Sequence, residues 1–200
     1  MTTKRIIWTD DDGNVCRCTP SPEAMQALTG TGGMTKPAHI DRQTASYIEA
    51  GMGAVSASRL AEGFANGGLT ETEALNLIRD RNLLTDARNV VVVEAADLPH
   101  AGSLRAAWRQ DGATVPVFDM GRGRSIKTDL IRPERNKRLA ALDVDYMRAD
   151  ESGNTEEKEK IAALKQKLRD LPVTIQSDLD VIDDPETLEN YDPTWPTAPE

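Results

Sequence analysis

The stretch RIIWTDDDGNVCRC, residues 5–18, decides how the fold begins, because two β-prone runs flank a cluster of turn residues. Ile6-Ile7-Trp8 precedes the cluster, and Val15-Cys16-Arg17-Cys18 follows it. Asp and Asn tolerate turn conformations, and Gly13 adopts a positive φ without steric cost. The sequence therefore predicts a β-hairpin with an acidic tip, in which Cys16 and Cys18 share one face as small buried apolar residues.

The same stretch also raises the question of a metal or redox site. A calcium loop requires alternately spaced oxygen ligands and a Glu six residues after the Gly, and DDDGN has neither. Zinc requires about four ligands, and the two histidines, His39 and His100, lie far along the chain. A C-x-C disulfide is disfavoured because residues i and i+2 of a strand point the same way. We predict no metal and no cofactor.

Charge is distributed unevenly along this chain of 200 residues, whose formal net charge is −9. Residues 172–200 carry eight acidic side chains and no Lys or Arg, which leaves −1 for the rest. Residues 121–138 carry seven basic and two acidic side chains. Two interpretations stay open: both segments are solvated surfaces, or the acidic segment lies on the basic one.

Membrane insertion and secretion are not expected. No segment approaches the ~18 apolar residues that a membrane span needs, and the first residues lack the apolar region of a signal peptide. Hydrophobic residues make up 38% of the chain and aromatic residues 4%. These fractions are low for a chain of this length, so its hydrophobic core should be small. We therefore expect an elongated or multi-part protein that buries further apolar surface against a partner.

The central part of the chain predicts helices followed by strands. Residues 41–82 have partial helical periodicity, with a capping box at Thr70 and Glu73. The four valines of 89–94 predict a strand buried on both faces. Residues 104–118 predict a second hairpin that turns at Asp111-Gly112.

Residues 122–171 predict an antiparallel helical hairpin, in which Pro133 should kink the first helix or start a second one. Ile161, Leu164, Leu168 and Leu171 form a narrow apolar seam on the later helix. Such a seam fits two helices that bury only each other and the sheet, and equally helices that pack on another chain. The sequence leaves both interpretations open.

The predicted fold class is α+β, with a small antiparallel sheet formed by the N-terminal and central hairpins. A helical insertion and a C-terminal α-helical hairpin complete it. The predicted segments are an N-terminal β-hairpin (1–29), a helical insertion (30–85), central β-strands (86–120), a helical hairpin (121–172) and an acidic extended tail (173–200).

We do not expect an enzyme, since His39 follows a loop proline, His100 follows Asp97-Leu98-Pro99 at a strand end, and no catalytic motif accompanies either of them. A competing class is a nucleic-acid-binding module, in which five of the seven basic residues of the segment 121–138 contact phosphates. These five are Arg122, Arg124, Lys127, Arg132 and Arg135. Residues 70–82 have too many carboxylates to bind DNA well, so we do not expect nucleic acid to be the partner.

Three stretches resemble proteins encoded in phage tail gene regions, namely tail-fibre assembly and tail-assembly-chaperone-like proteins. They are IIWTDDDGNVCRCTPSPE at the start, VVEAADLPHAGSLRAAWRQDGATVPVFDM in the centre, and RPERNKRLAALDVDYMRADESGNTEEKEKIAALKQKLRDLP, followed by Trp195-Pro196. The resemblance covers roughly residues 5–20 and 70–196.

The resemblance implies a non-enzymatic phage protein that binds a tail-fibre or tail-tip protein. Two roles remain open: a minor structural component of the virion that joins fibre to tail, or an assembly chaperone that leaves. The location is then the virion tail, or the host cytoplasm during assembly, and a homo-oligomer is possible. The residues predicted to bind the partner are the hairpin seam and a late aromatic anchor: Leu139, Leu142, Tyr146, Ile161, Leu164, Leu168 and Trp195.

Overall fold

The computed structural model describes residues 3–82, 87–100 and 102–197. The predicted boundary between residues 85 and 86, and the ends of the first and last predicted segments at 1–2 and 198–200, lie outside the described residues. The chain divides into two compact units. Unit 1 comprises Met1–Leu98 and Trp108–Val117, and unit 2 comprises Pro99–Ala107 and Phe118–Glu200.

The N-terminal hairpin is confirmed: β1 (Lys4–Thr9) pairs antiparallel with β2 (Val15–Cys18). At the tip, the Asp10 side chain accepts a hydrogen bond from the Asn14 N–H at 2.8 Å. Ile6 lies opposite Cys18 and Trp8 opposite Cys16, so both cysteines share one face as predicted. They are half-buried, however, because β2 lies at an edge of the sheet.

The third strand, β3 (Arg88–Glu94), pairs antiparallel with the other side of β1. The sheet order is β2-β1-β3, so β3 is an edge strand. Of its four valines only Val93 is fully buried, and the prediction of burial on both faces is wrong. The run of valines does not indicate that β3 pairs with one strand, β1. It also does not indicate the irregular register at the start of β3, near Asn89, whose φ is +53°.

Four helices complete unit 1: α1 (Pro22–Thr29), α2 (Ile40–Glu49), α3 (Ala54–Asn66) and α4 (Glu71–Asn82). The capping box is present, since Thr70 Oγ1 accepts from the Glu73 N–H and Glu73 accepts from the Thr70 N–H. The buried side chains of these helices share one hydrophobic core with Ile6 and Val92 of the sheet. They are therefore part of the same compact unit as the sheet.

The ends of α1 and α3 touch through their backbones at Gly67. This residue has φ +69°, and a Cβ atom there would lie 2.2 Å from the Gly30 carbonyl oxygen. The neighbouring Gly68 N–H donates to that carbonyl at 3.1 Å. A glycine at position 67 is therefore required by both the backbone angle and the close approach.

The central hairpin is shorter than predicted. Residues 105–107 form a 3₁₀ turn, and only β4 (Trp108–Arg109) and β5 (Val117–Phe118) are strands. These strands pair with each other and are not part of the three-stranded sheet. The α+β class with a small antiparallel sheet is nevertheless confirmed.

The two long helices of unit 2 are α5 (Met120–Glu151) and α6 (Thr155–Thr174). Pro133 lies inside α5, which continues through it as one helix, so the alternative of a second helix starting there is wrong. In the described part of the chain, no helix combines the length and the apolar character needed to span a membrane.

The C-terminal segment is not extended, contrary to the prediction. It contains α7 (Gln176–Asp180) and α8 (Pro185–Asn190). Leu179 and Leu188 are fully buried in a second hydrophobic core with Leu104, Ile131 and Leu171. Most of the acidic residues of this segment are exposed, while its few apolar side chains face the core.

Candidate functional site on the C-terminal helical hairpin

The helical hairpin of unit 2 is held at its turn by capping contacts. Gly153 has φ +70°, and the Asn154 N–H donates to the Ala149 carbonyl at 2.9 Å, which closes the end of α5. The Asn154 side chain then accepts from the Glu157 N–H at 3.1 Å and caps α6. A turn of three residues between two capped helices makes them antiparallel neighbours.

Two lysines of α6 contact α5 around Tyr146, each through an ion pair and through the tyrosine ring. Lys158 pairs with Asp150 at 2.5 Å, and Lys165 pairs with Asp143 at 2.5 Å. The two ammonium groups lie 5.5 and 5.0 Å from the centre of the Tyr146 ring. The hydrogen bond to Asp150 raises the pKa of Lys158. The predicted binding residue Tyr146 therefore already serves as a contact between the two helices.

The structure places the other predicted seam residues inside the hairpin. Ile161, Leu164 and Leu168 are buried, and Leu139 and Leu142 are half-buried. The first three are therefore mainly core residues of unit 2, and only the small exposed parts of Ile161 (6%) and Leu164 (9%) face the surface between the helices. Of the two interpretations that the sequence leaves open, mutual burial of the helices accounts for these three positions.

An open groove runs between α5 and α6 near their turn, and we call it the tip groove. Its volume is about 530 Å³. The apolar lining side chains are Leu142, Ala149, Ile161 and Leu164, and the charged ones are Asp145, Arg148, Glu157 and Lys160. Each helix thus contributes one acidic and one basic side chain beside an apolar surface. This arrangement suits an apolar ridge on another protein flanked by charges of both signs.

Trp195, which is predicted to bind a partner, makes its contacts within unit 2 in this structure. The Arg138 guanidinium lies 4.2 Å from the centre of the indole ring, a cation–π distance. The indole N–H donates to Asp192 at 3.3 Å. Trp195 therefore attaches the C-terminal segment to α5.

A second aromatic side chain of this segment is tied to α7. The Tyr191 hydroxyl donates to Asp178 at 3.1 Å. Burial, together with this hydrogen bond, raises the pKa of Tyr191 to about 12. The phenol therefore stays protonated across the physiological range and keeps its hydrogen bond.

The C-terminal segment also covers part of the basic stretch. Arg124 donates to the Ile182 carbonyl at 2.8 Å, and Lys127 donates to the Glu189 carbonyl at 2.6 Å. Burial lowers the pKa of Lys127, and this effect is partly opposed by Asp192 and Glu189. The second interpretation of the charge pattern thus describes the structure, although the contacts are mainly to backbone oxygens and not to the acidic side chains.

His100, which has no notable neighbour in the sequence, lies against Glu189 in the structure. The other carboxylate oxygen accepts from the Ser103 N–H at 2.6 Å. These two hydrogen bonds, the one from Ser103 first, lower the pKa of Glu189 to about 2. Glu189 thereby joins the segment Pro99–Ala107 to α8. The sequence separation of 89 residues explains why no local pattern indicates this pair.

Among the residues that the structure describes, no cluster of three or more His, Cys, Asp or Glu side chains is placed to hold a metal ion. Comparison with known proteins adds no identification, because no family profile, curated protein or solved structure matches this chain. Two features of unit 2 stand out: the tip groove, and the contacts of Ile182, Glu189 and Trp195 with α5, which we call the C-terminal brace.

Proposed function

We propose that this chain is a phage tail protein that binds a tail-fibre or tail-tip protein and stays in the virion as a minor structural joint. The tip groove carries this proposal. Its lining residues, from Leu142 to Leu164, all lie inside the stretch 132–172 that resembles phage tail-region proteins. The groove combines apolar surface with charges of both signs, as protein-binding surfaces do.

Rigidity of the hairpin supports this role. Capping at Asn154 and the Tyr146 contacts join α5 and α6 next to the groove through residues of the chain itself. A preformed groove loses less conformational entropy on binding than one that must be ordered first. A structural joint benefits from this property because it must form a lasting contact.

The first test is mass spectrometry of purified phage particles from a host that produces this protein. The proposal expects the chain at a fixed ratio to a fibre or tail-tip protein. If the chain is instead bound to fibre in the lysate and missing from particles, the alternative role of an assembly chaperone is correct. If it accompanies neither, the phage-tail proposal is wrong.

The second test asks whether the tip groove makes the contact. Arg148→Glu reverses a charge at the groove, where its partner is Asp145 at 3.3 Å. Arg169→Glu makes the same change on an exposed position of α6 outside the groove. Capture of the fibre or tail-tip protein from an infected-cell lysate should fall about tenfold or more for the first variant and stay unchanged for the second.

The nucleic-acid alternative predicts a different result. Retention of the full chain on double-stranded DNA should fall steeply with salt if phosphates are contacted. Two of its five proposed residues, Arg124 and Lys127, already donate to carbonyl oxygens of the C-terminal segment. We therefore expect no retention at physiological salt. Strong retention there would favour the nucleic-acid role over the protein-binding one.

A further inference from the structure

The outer edge of β3 presents backbone groups that are not paired within the sheet. Along an antiparallel pair, every second residue directs its N–H and C=O to the partner strand, and the residues between direct theirs away from it. The Ala95 N–H donates to the Thr3 carbonyl at 2.9 Å, which fixes this alternation for β3. Val93 and Val91 therefore bond to β1, while the N–H and C=O of Val92 point outward. In the described part of the chain, these two outward groups have no hydrogen-bonding partner.

This edge forms the floor of a slot in unit 1 with a volume of about 650 Å³. Its other lining residues form two walls: Thr72, Leu75 and Asn76 of α4, and residues 113–115. Val92 packs on the core beneath α4, so alternation directs Val91 and Val93 towards the opposite face of the sheet. A strand added to β3 would enter between two existing walls.

Gln110 holds the second wall in place. Its side-chain amide donates to the Asn89 carbonyl at 2.8 Å and to the Thr114 carbonyl at 2.9 Å. Its carbonyl oxygen accepts from the Thr9 hydroxyl at 2.9 Å. One side chain thus ties residues 113–115 to the start of β3 and keeps the slot open.

The far end of the slot is acidic. Glu94 and Asp97 line it together with Lys4. The Lys4 ammonium lies 3.0 Å from the Glu71 carboxylate, which offsets its charge. A basic group on an incoming peptide would meet two carboxylates at this end, and an acidic group would be repelled.

We propose that this slot binds an extended peptide segment of another protein as a fourth strand on β3. The segment has apolar side chains at alternate positions and a Lys or Arg opposite Glu94 and Asp97. Main-chain hydrogen bonds to Val92 provide affinity, and the two walls and the acidic end provide specificity. The proposal concerns unit 1 and does not depend on the function proposed for the hairpin in unit 2.

The probe is a displayed library of short random peptides selected on the full chain, followed by synthesis of the most enriched peptide. The expected consensus alternates apolar residues and has Lys or Arg near one end. N-methylation of the peptide residues that face β3 should weaken binding about tenfold or more, because each loses a backbone hydrogen bond. N-methylation at the intervening positions should leave the affinity nearly unchanged.

Protein variants test the same site. Thr72→Trp fills the slot from its exposed α4 wall and should abolish binding, whereas Val55→Trp adds the same bulk at an exposed position of α3 outside the slot. Asp97→Lys should weaken the basic peptide and strengthen a version whose basic residue is replaced by Glu. Circular dichroism and thermal unfolding establish that each variant is folded.

Three outcomes overturn the proposal. The first is a selection that enriches no peptide above background. The second is an enriched peptide whose affinity does not depend on which alternate positions are methylated, or is unchanged by Thr72→Trp. The third is self-association of the chain that Thr72→Trp abolishes, with no peptide enriched, because a second copy then occupies the slot.

Discussion

Replacing Leu188 by alanine should destabilise unit 2 by about 3 kcal/mol. The side chain is 0% exposed and packs in the core with Leu104, Ile131 and Leu179. The truncation removes three carbon atoms, which at ~0.8 kcal/mol each loses about 2.4 kcal/mol of transfer free energy. The cavity left behind adds the remainder, since α5 cannot collapse around it.

The loss should be confined to unit 2 in the first instance. The six-residue helix α8 is too short to be stable alone, so it depends on its contacts with the rest of unit 2, among them the packing of Leu188. Hydrogen exchange read by mass spectrometry on peptic fragments measures the free energy of opening for each unit separately. Fragments from α5 and α8 should show the loss, and fragments from β1 and α3 should show little change.

Val173→Ala is the matched control, because it truncates an aliphatic side chain that is 78% exposed in the same unit. It should change the free energy by no more than about 0.5 kcal/mol. A loss below ~1 kcal/mol for Leu188→Ala would refute the reasoning, because it would mean that α8 is not packed as a core element. An equal loss in β1 and α3 would refute the assignment to unit 2.

Three further predictions concern single positions. Gly67→Ala should lower the free energy of unfolding by more than ~2 kcal/mol, because its Cβ would meet the Gly30 carbonyl. Gly68→Ala has open space around it and should lower the free energy of unfolding by about 1 kcal/mol, through its positive φ alone. Urea unfolding of both variants measures the difference. The lowered pKa of Glu189 stabilises the folded state at pH values above the unfolded-state pKa of about 4.3, and this stabilisation should be lost as the pH falls from there towards 2. Acid unfolding of the wild type and of Glu189→Gln measures this difference in stability. Equal pH profiles of the two proteins would contradict the prediction. Trp195→Ala should lower the free energy of unfolding by about 1–2 kcal/mol, because the contact with the Arg138 guanidinium is lost. Trp195→Phe keeps an aromatic ring and should lose less stability, as measured by urea midpoints. Identical losses in both variants would argue against a ring contact.

Features set by neighbouring residues are predictable from this sequence. The hairpin at 5–18 follows from turn chemistry, which acts over a few residues. The capping box of Thr70 and Glu73 and the cap at Asn154 likewise depend only on spacing. Each of these signals acts within one turn of chain, so a single sequence contains all the information required.

Features set by distant residues are not predictable in this way. The valines of β3 indicate a strand but not how many neighbours it has, and the structure gives it one. The acidic composition of residues 176–190 suggests an extended tail, because Leu179 and Leu188 are isolated apolar residues until α5 and α6 surround them. The tip groove depends on how α5 and α6 align, and an apolar seam on one helix does not specify that.

The brace formed by the C-terminal segment has a consequence for how the protein is made. Arg124 and Lys127 find their partners 58 and 62 residues later in the chain. On the ribosome, α5 and α6 therefore emerge before the residues that cover Ile131 and Leu171, and their apolar surfaces stay exposed until then. A product that stops short of Leu179 would keep those surfaces uncovered, and exposed apolar surface of this kind makes an unfinished chain prone to aggregate.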